Sequence, residues 1–486
     1  MFRSERLSSA FAVVAVVLLP LAIVTRSPAA DQPPAVRSAA APADRSAAAA
    51  KGSHSNRGGD DWPCFLGPNH DGTSSEIGIR TDWSGDRLPV LWTRELGTSY
   101  GIGSVADGRY FQFDRIEDEE RLTCLDARTG EEIWSHGQSV QYEDMYGYNN
   151  GPRSSPAIDG DAVYTMGVAG RLTCRSVSDG ALRWSVDTHD RYGVVQNFFG
   201  VGCSPLIHGN AVIVMVGGSP PEDQNLPPGR LDRVIPNGSA LVAFDKQTGQ
   251  ELYRVGEYLA SYSTPRPFRV GDTTLILAFV REGLLAIDPQ TGKEAWFVPW
   301  RSRKLESVNG AVPLVRGDEI LISECYEIGS LLLRAGRDGY EILRQDPRNP
   351  RQQSFRAHWA TPIQVGGAVY GTSGRNAPDS DLRCIDWETG ELRWSDPRRQ
   401  RSSLLGVDGH LVVLDERGTL ELIRATPEAY ASVTSIDLSQ PHPAAGGEPL
   451  LSYPCWAAPI LAQGLMYVRG PDRVVCFELI PGAAGE

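Results

Sequence analysis

One short motif recurs along this chain and restricts its fold more than any other feature. In its first good copy a small residue ends one strand, Asp-x-x-Thr-Gly forms a tight turn, and the next strand ends on Trp. Asp and Thr can hydrogen-bond the backbone of such a turn, and Gly tolerates a positive φ. Recurrence of this kind predicts a repeat architecture. The good copies are Cys124–Trp134, Cys174–Trp184, Ala243–Tyr253, Ala286–Trp296 and Cys384–Trp394, with weaker copies at Leu333–Leu343 and around Leu420–Val433.

A second marker precedes each hairpin: a small or polar residue, usually followed by Pro, then a short apolar strand and a Gly turn. Ser155-Pro156 and Ser204-Pro205 are clear examples, and plainer versions begin at Ser104 and Leu404. The sequence holds eight such starts, roughly fifty residues apart, and each heads about four strands. The pattern predicts an all-β, eight-bladed β-propeller with four-stranded antiparallel blades. A ring of seven, with one degenerate blade, is the alternative.

The ends of the repeat region predict how the ring closes. The last repeat supplies the strand Val474–Glu478, but the chain stops where its Trp would fall. Leu88–Leu96, which contains Trp92, is an outer-type strand without a preceding partner. We expect this N-terminal strand to complete the last blade, because closure leaves only short, protected edges.

The first sixty residues differ in composition from the rest. Residues 1–30 combine a basic start with a short apolar run, the pattern of a secretory signal peptide or, if uncleaved, an N-terminal anchor. Residues 31–60 are rich in Ala, Pro and Ser and predict a disordered linker. The propeller is predicted over residues 61–486. We expect an exported protein of the periplasm or cell envelope, with membrane contact only through an uncleaved anchor.

The charge of the chain excludes one class of partner. The formal net charge is −13, and the first sixty residues carry seven basic and four acidic residues, so the remainder carries −16. Binding of phosphate backbones needs a basic footprint. The sequence therefore predicts no nucleic-acid partner.

Eight cysteines in an exported chain raise the question of disulfides. Half of them occupy the small-residue position of the motif, where the ring holds them apart, and we interpret them as buried small hydrophobes. The sequence contains no C-x-x-C pair, so neither a zinc site nor a haem attachment site is predicted. The four motif cysteines are Cys124, Cys174, Cys384 and Cys476. The four without an assignable partner, whose disulfide status stays open, are Cys64, Cys203, Cys325 and Cys455.

The topology predicts where a site lies. With four antiparallel strands per blade, the Asp-x-x-Thr-Gly turns share one face, and the connections between blades share the other, which we call the loop-rich face. The Tyr142–Arg153 segment and the Pro-rich insertion Ser219–Gly238 are expected there. Side chains just before the inner strands should point towards the central channel. The candidate ligand residues at such places are Arg153, Asn197, Tyr262, His358, Trp359 and Trp456.

Two interpretations of this face stay open. In the functional one, aromatic platforms form a concave site in which Arg153 binds an anion and His358 acts as a base. In the structural one, the aromatic residues cap the channel and Arg153 is tied to a backbone carbonyl. No catalytic residue and no metal ligand is predicted. We interpret the acidic run Asp114–Glu120 as a solvated turn and Arg398–Arg401 as a solvated loop.

The A/C-x-D-x-x-T-G-x-x-x-W repeat resembles the tryptophan-docking motif of the PQQ-binding-like β-propeller superfamily, over Trp62–Phe477. That group includes quinoprotein alcohol dehydrogenases and the propeller subunit of the outer-membrane β-barrel assembly machinery. Trp62–Gly67 looks similar to a segment of its uncharacterised exported bacterial members. The resemblance implies that the motif aromatics lock neighbouring blades together. These residues are Trp134, Trp184, Tyr253, Trp296 and Trp394.

The resemblance implies a scaffold and leaves three functions open. The favoured one is a non-catalytic binding or assembly module of the bacterial cell envelope, with a protein or polysaccharide partner on the loop-rich face. The alternative is a PQQ-dependent alcohol or sugar dehydrogenase, which needs a quinone stacked on an axial Trp, Ca²⁺ held by oxygen ligands and a catalytic Asp. The chain has no adjacent cysteine pair and no C-x-x-C-H haem motif, so we expect no cofactor. A hydrolase or lyase acting on polysaccharide is the third function, for which no carboxylate pair is recognised.

Overall fold

The structure, a computed structural model, describes residues 59–482. The expected signal peptide or anchor (1–30) and nearly all of the expected linker (31–60) lie outside these residues. Among the residues described, no helix is both long and apolar enough to cross a membrane. The helices are α1 (Thr188–Tyr192) and the 3₁₀ turns Pro221–Asn225, Pro350–Gln352 and Pro443–Ala445.

Eight four-stranded blades surround a central axis, which confirms the predicted fold. The first strands of neighbouring blades contact one another, so they are the inner strands. In chain order the strands are β1 (Thr73–Ser74), β2 (Val90–Glu95), β3 (Ser104–Ala106), β4 (Arg109–Ile116), β5 (Glu119–Asp126), β6 (Glu132–Ser139), β7 (Ala157–Asp159), β8 (Ala162–Met166), β9 (Arg171–Ser176), β10 (Leu182–Asp187), β11 (Leu206–His208), β12 (Ala211–Met215), β13 (Leu241–Asp245), β14 (Glu251–Val255), β15 (Arg266–Val270), β16 (Thr273–Val280), β17 (Gly283–Asp288), β18 (Lys293–Pro299), β19 (Leu314–Arg316), β20 (Glu319–Glu324), β21 (Gly329–Ala335), β22 (Tyr340–Gln345), β23 (Ile363–Val365), β24 (Ala368–Ser373), β25 (Asp381–Asp386), β26 (Leu392–Asp396), β27 (Ser403–Val407), β28 (His410–Leu414), β29 (Thr419–Arg424), β30 (Ser432–Asp437), β31 (Ile460–Ala462), β32 (Leu465–Arg469) and β33 (Arg473–Glu478).

Blades 1 to 7 follow one another in sequence, and blade 8 closes the ring with a strand from the other end of the chain. Blade 1 is β3–β6, blade 2 is β7–β10, and each later blade takes the next four strands up to β27–β30. Blade 8 combines β31–β33 with β2, which pairs antiparallel to β33 with Trp92 opposite Cys476. The predicted closure by the N-terminal strand is confirmed.

The docking aromatics join each blade to the next. Trp134 lies opposite Cys124 of its own blade, where only a small residue leaves room for an indole. Its indole N–H donates a hydrogen bond of 3.0 Å to the backbone carbonyl of Val177, in the following blade. This indole therefore joins its own blade to the next. The same bond joins Trp184 to Lys246 (3.1 Å), Trp296 to Gly336 (3.1 Å), Trp394 to Thr426 (2.9 Å) and Trp92 to Ala127 (3.1 Å).

The motif glycine is required for two physical reasons. Gly249 and Gly130 have φ of 71° and 72°, a conformation that strains any residue with a Cβ. A Cβ on Gly249 would also lie 2.7 Å from the ring of Trp184, and one on Gly130 would lie 2.6 Å from the ring of Trp92. The aromatic residue of one blade therefore packs directly on the glycine of the next.

In blade 5, where the motif copy is weak, the residue at the docking position is not the one that the sequence alignment predicts. Leu333 pairs with Ile342, and the outer-strand residue that reaches the next blade is Arg344. A Cβ on Gly390 of blade 6 would lie 2.5 Å from the Nη1 atom of Arg344. Arg344, and not Leu343, thus takes the place of the docking Trp, which a search for aromatic residues does not detect.

The residue before Pro in the second marker also has a structural role. The backbone N–H of Ser155 donates to the hydroxyl of Ser204 in the next blade (2.8 Å), and the N–H of Ser204 donates to the hydroxyl of Thr264 (3.0 Å). The N–H of Val312 likewise donates to the hydroxyl of Thr361 (3.0 Å). Small hydroxyl residues recur there because they hydrogen-bond one inner strand to its neighbour.

The interpretation of Asp114–Glu120 as a solvated turn is wrong at both ends of the run. Asp114 and Glu120 are each 1% exposed, and only the four residues 116–119 are exposed. Asp114 pairs with Arg121 at 2.8 Å, and Glu120 accepts a 2.6 Å hydrogen bond from the backbone N–H of Val168 in blade 2. Burial raises the pKa of Glu120. These two acids lie on the strands rather than in the turn.

All eight cysteines lie within residues 59–482, and there each is a free thiol. The four motif cysteines are fully buried, which confirms that they act as small hydrophobes. The four cysteines that the sequence left open likewise form no disulfide within the described part of the chain.

Residues 60–79, which we call the crossing segment, lie across the turn-rich end of the axis. Trp62 forms a β-bridge with Val105 of blade 1, and β1 pairs in parallel with β27 of blade 7. The carbonyl of Pro63 accepts a 2.8 Å hydrogen bond from Ile158 of blade 2. A Cβ on Gly72 would lie 2.6 Å from Ile363 of blade 6. Blades 2 and 6 are opposite in a ring of eight, so the segment spans the axis.

Candidate functional site

One repeat position supplies most of the side chains at the loop-rich end of the axis. In six of the blades it lies three residues before the Pro that precedes the inner strand. Blades 1 and 7 lack this Pro, and their residues at this position are found by aligning the turn between the first two strands of each blade. Four predicted ligand residues share this position, and the same count also identifies two that were missed, Tyr100 and Arg401. The eight residues are Tyr100, Arg153, Gly202, Tyr262, Gly310, Trp359, Arg401 and Trp456.

The aromatic members of this set form a contiguous group, which we call the axial cluster. The ring centroid of Trp456 lies 5.1 Å from that of Tyr100 and 5.1 Å from that of Trp359. Tyr148 is 6.5 Å from Trp456 and 6.1 Å from Phe199, so it connects two sides of the cluster. Phe199 contacts Tyr262 of the repeat position, and the further members Phe198, Tyr326 and His358 come from the loops of blades 2 to 6.

Arg401 lies between the two indoles of this cluster. Its Cζ atom is 4.7 Å from the ring centroid of Trp359 and 4.6 Å from that of Trp456. Its side chain is 18% exposed and pairs with Glu416 at 3.3 Å. Arg399 also pairs, with Asp415 and Glu421. The interpretation of Arg398–Arg401 as a solvated loop is therefore wrong for these two arginines, because cation–π contacts and carboxylates retain them.

Arg153 is bound within its own loop. Its guanidinium forms an ion pair with Asp144 and donates to the carbonyls of Asn149 (2.9 Å) and Gly151 (2.9 Å). The Arg153 side chain is 10% exposed and that of Asp144 is fully buried. This guanidinium therefore fixes the conformation of residues 144–150, which we call the tyrosine loop.

The tyrosine loop presents two aromatic side chains to solvent. Asp144 accepts hydrogen bonds from the backbone N–H groups of Tyr146 (2.8 Å) and Tyr148 (3.4 Å). These tyrosines are 55% and 62% exposed. The ring of Tyr146 packs against Phe199 at 5.6 Å. A buried ion pair thus holds an exposed aromatic surface in one conformation.

His358 is a neutral and weakly basic imidazole. Its Nε2 atom lies 3.2 Å from the hydroxyl of Tyr326, and its buried Nδ1 atom has no hydrogen-bond partner within residues 59–482. Burial, followed by the positive charges of Arg375 and Arg401, lowers its pKa to about 3. Efficient general bases have a pKa near the working pH. The environment of His358 does not favour this role.

Asn197 and Tyr262 position the loop that carries Phe199. The amide of Asn197 donates to the carbonyl of Ala260 at 3.5 Å and accepts from the N–H of Phe198 at 2.8 Å. The hydroxyl of Tyr262 accepts a 2.8 Å hydrogen bond from the N–H of Phe199, and burial raises its pKa well above the usual value. Tyr262 belongs to the axial cluster, whereas the amide of Asn197 is used by the backbone.

The side chains at the axis do not fit PQQ with Ca²⁺. Arg401 covers the indole faces of Trp359 and Trp456 on which a planar quinone would stack. The nearby carboxylates are engaged, Asp144 by Arg153 and Glu416 by Arg401. Over residues 59–482, no group of three or more His, Cys, Asp or Glu side chains is placed to hold a metal ion. Ca²⁺ requires several oxygen ligands at one point.

The fold and its docking motif define a closed propeller of PQQ-like repeats. A family model described as outer membrane protein assembly factor BamB matches residues 80–252, 118–327 and 234–430, well over half of the chain. The chain therefore belongs to this family of PQQ-like, BamB-like β-propellers.

Solved structures with the same fold have low sequence identity to this chain. BamB from Moraxella catarrhalis is 15% identical, covers 80% of this chain and 97% of its own, and superposes with a TM-score of 0.54. The quinohemoprotein alcohol dehydrogenase from Comamonas testosteroni is 14% identical, covers 88% and 81%, and gives 0.57. At these identities the likeness concerns the fold alone.

One curated relative is itself described as uncharacterized, so it suggests no activity for this chain. The uncharacterized protein RP232 of Rickettsia prowazekii is 21% identical over 181 residues. The match spans 37% of this chain and 36% of that protein, about a third of each.

Proposed function

We propose that this protein is a non-catalytic binding or assembly module, exported to the bacterial cell envelope, that engages its partner through the loop-rich face. The observation that carries the proposal is the tyrosine loop. Tyr146 and Tyr148 are more than half exposed, yet the buried pair of Arg153 and Asp144 fixes their backbone.

Such an arrangement serves binding better than it serves stability. An exposed aromatic surface beside polar residues is a common mark of an interaction site. Tyrosine supplies a large contact area at a low cost in side-chain entropy, and a rigid loop reduces the ordering cost on binding. A buried ion pair carries a desolvation penalty of its own, so we assign this pair to the shape of the loop rather than to folding stability.

The chemistry at the axis also favours binding over catalysis. Asp144 and Glu416 are each paired with an arginine, and His358 is too weak a base to take a proton efficiently near neutral pH. The placement in the envelope is supported by the BamB-like family and by the basic, then apolar start of the sequence.

Titration of the full chain with PQQ and Ca²⁺ tests the non-catalytic part of the proposal. The readouts are quinone absorbance, thermal shift and dye-coupled oxidation of alcohols and sugars. We expect neither saturable binding nor turnover. Saturable binding with turnover that is lost in Trp456→Ala, and retained in Trp296→Phe on the outer strand of blade 4, would replace this proposal with the quinoprotein dehydrogenase.

A further inference from the structure

A polar groove opens beside the tyrosine loop on the loop-rich face. Its volume is about 930 Å³, within the range of roughly 300–1,000 Å³ that is usual for ligand sites. It lies between the blade 1 turn at Asp118, the segment that leads to blade 2, and the insertion of blade 3. Its walls include Arg115, Gln141, Tyr142, Glu143, Gln196 and Pro228.

Several polar groups of the groove are free to bind a ligand. The exposed side chains of Gln141 and Glu143 make no hydrogen bond or ion pair within residues 59–482. The hydroxyl of Tyr142 is buried without a partner in the same range, and burial raises its pKa to about 12, so it stays protonated. Arg115, in contrast, is fully used, since it donates to the carbonyls of Tyr142 (2.9 Å) and Asn150 (3.0 Å).

The tyrosine loop forms one rim of this groove. Asp144 and Met145 belong both to the loop and to the groove wall. The rings of Tyr146 and Tyr148, 6.4 Å apart, follow directly in the chain and lie over Phe199. Polar side chains and exposed aromatic rings therefore occupy adjoining parts of one surface.

We propose that this groove and the two tyrosines bind an oligosaccharide, an inference that rests on the binding function proposed above. A sugar ring presents hydroxyl groups, each a donor and an acceptor, around its edge, and C–H groups on its faces. Carboxamide and carboxylate side chains such as Gln141 and Glu143 pair with vicinal hydroxyls, while tyrosine rings pack against the C–H faces. The groove supplies the polar contacts, and the tyrosine loop at its rim supplies the aromatic ones.

The charge of the groove selects among sugars. Among residues 59–482 the carboxylate of Glu143 has no ion-pair partner, and the positive charge of Arg115 is paired with Asp118 at 3.0 Å. The chain outside its first sixty residues is strongly acidic. An anionic polysaccharide would be repelled, so the site favours neutral or N-acetylated sugars. A protein partner fits less well, because the centre of a protein interface is depleted in charge and more apolar.

The test uses the full chain and three hexasaccharides: β-1,4-linked glucose, β-1,4-linked N-acetylglucosamine and α-1,4-linked galacturonate. Binding is measured by isothermal titration and by saturation-transfer NMR. We expect saturable binding of at least one of the first two and none of galacturonate. The variants Tyr146→Ala/Tyr148→Ala and Gln141→Ala should each weaken binding at least tenfold. Tyr340→Ala, at a partly exposed tyrosine on the outer strand of blade 5, is the matched control and should bind as the wild type does.

Two results would overturn the inference: no binding of either neutral hexasaccharide at millimolar concentration, or binding that the tyrosine and glutamine variants leave unchanged. The melting temperature of each variant shows that it is folded. The proposed function has a separate test, a photo-cross-link to an envelope component from a benzophenone amino acid placed at position 148. If no sugar binds but this cross-link forms, the oligosaccharide inference falls and the proposed function stands. If the cross-link fails as well, both fall.

Discussion

Substitution of one motif glycine tests the physical account of how the blades are joined. Gly249 and Gly160 both have a positive φ, 71° and 58°, so replacement by Ala strains both. This backbone strain costs about 1–2 kcal/mol. At Gly160 the added Cβ meets nothing within 4 Å, whereas at Gly249 it would lie 2.7 Å from the ring of Trp184. Overpacking of this kind adds about 1–3 kcal/mol.

We therefore expect Gly160→Ala to lose about 1–2 kcal/mol of unfolding free energy and Gly249→Ala about 2–5 kcal/mol. Urea denaturation followed by circular dichroism measures the difference, and tryptophan fluorescence reports whether Trp184 has moved. Gly249→Ala should also be partly rescued by Trp184→Leu, which removes the clashing ring. Equal losses in the two single variants would refute the idea that the motif glycine is a docking surface.

Three further predictions concern the tyrosine loop and the crossing segment. Arg153→Ala leaves the buried carboxylate of Asp144 unpaired, which should lower the unfolding free energy by about 3–5 kcal/mol. Hydrogen exchange should accelerate selectively at residues 144–150, and Arg153→Lys should restore part of the protection. Wild-type protection of these residues in Arg153→Ala would contradict the role given to Arg153. The pKa of His70 is lowered to about 4, by burial first and then by the nearby Arg266 and His208. Because the pKa in the unfolded chain is about 6.5, the unfolded state binds more protons, and the unfolding free energy falls as the pH is lowered from 6.5 to 4, by about 2 kcal/mol at pH 5. His70→Gln should flatten this pH dependence in melting curves. Trp62→Ala, at a residue 2% exposed in the crossing segment, should cost about 3–5 kcal/mol in urea titrations, and a loss below 1 kcal/mol would show that this segment is not part of the core.

The propeller could be predicted because its repeat physics is local. A small residue opposite an aromatic one, and a glycine under the aromatic residue of the previous blade, are imposed at fixed spacing by the docking geometry. Arg344 escaped detection because a guanidinium replaces the ring there. The crossing segment escaped detection because residues 60–79 contact several different blades, among them blades 1, 2, 6, 7 and 8, and carry no repeat.

The positions of the candidate residues in the ring could be predicted from the sequence, but the partners of their side chains could not. Counting back from the inner strands led to Arg153, Trp359 and Trp456, which do lie at the loop-rich end of the axis. The sequence gives no measure of which carboxylate meets which guanidinium, so the pairing of Arg153 with Asp144 and the position of Arg401 between two indoles emerge only from the fold. The low basicity of His358 likewise depends on burial beside two arginines.

Site-specific photo-cross-linking tests the central claim, that the loop-rich face engages a partner through the tyrosine loop. A benzophenone amino acid replaces Tyr148 in the full chain, and a second form carries it at Tyr340, another exposed tyrosine far along the ring in blade 5. After irradiation of intact cells, we expect a discrete cross-linked envelope component from position 148 and none from position 340, with loss of the product when Arg153→Ala is added. Equal products from both positions, or none from position 148 in a correctly exported protein, would contradict the account.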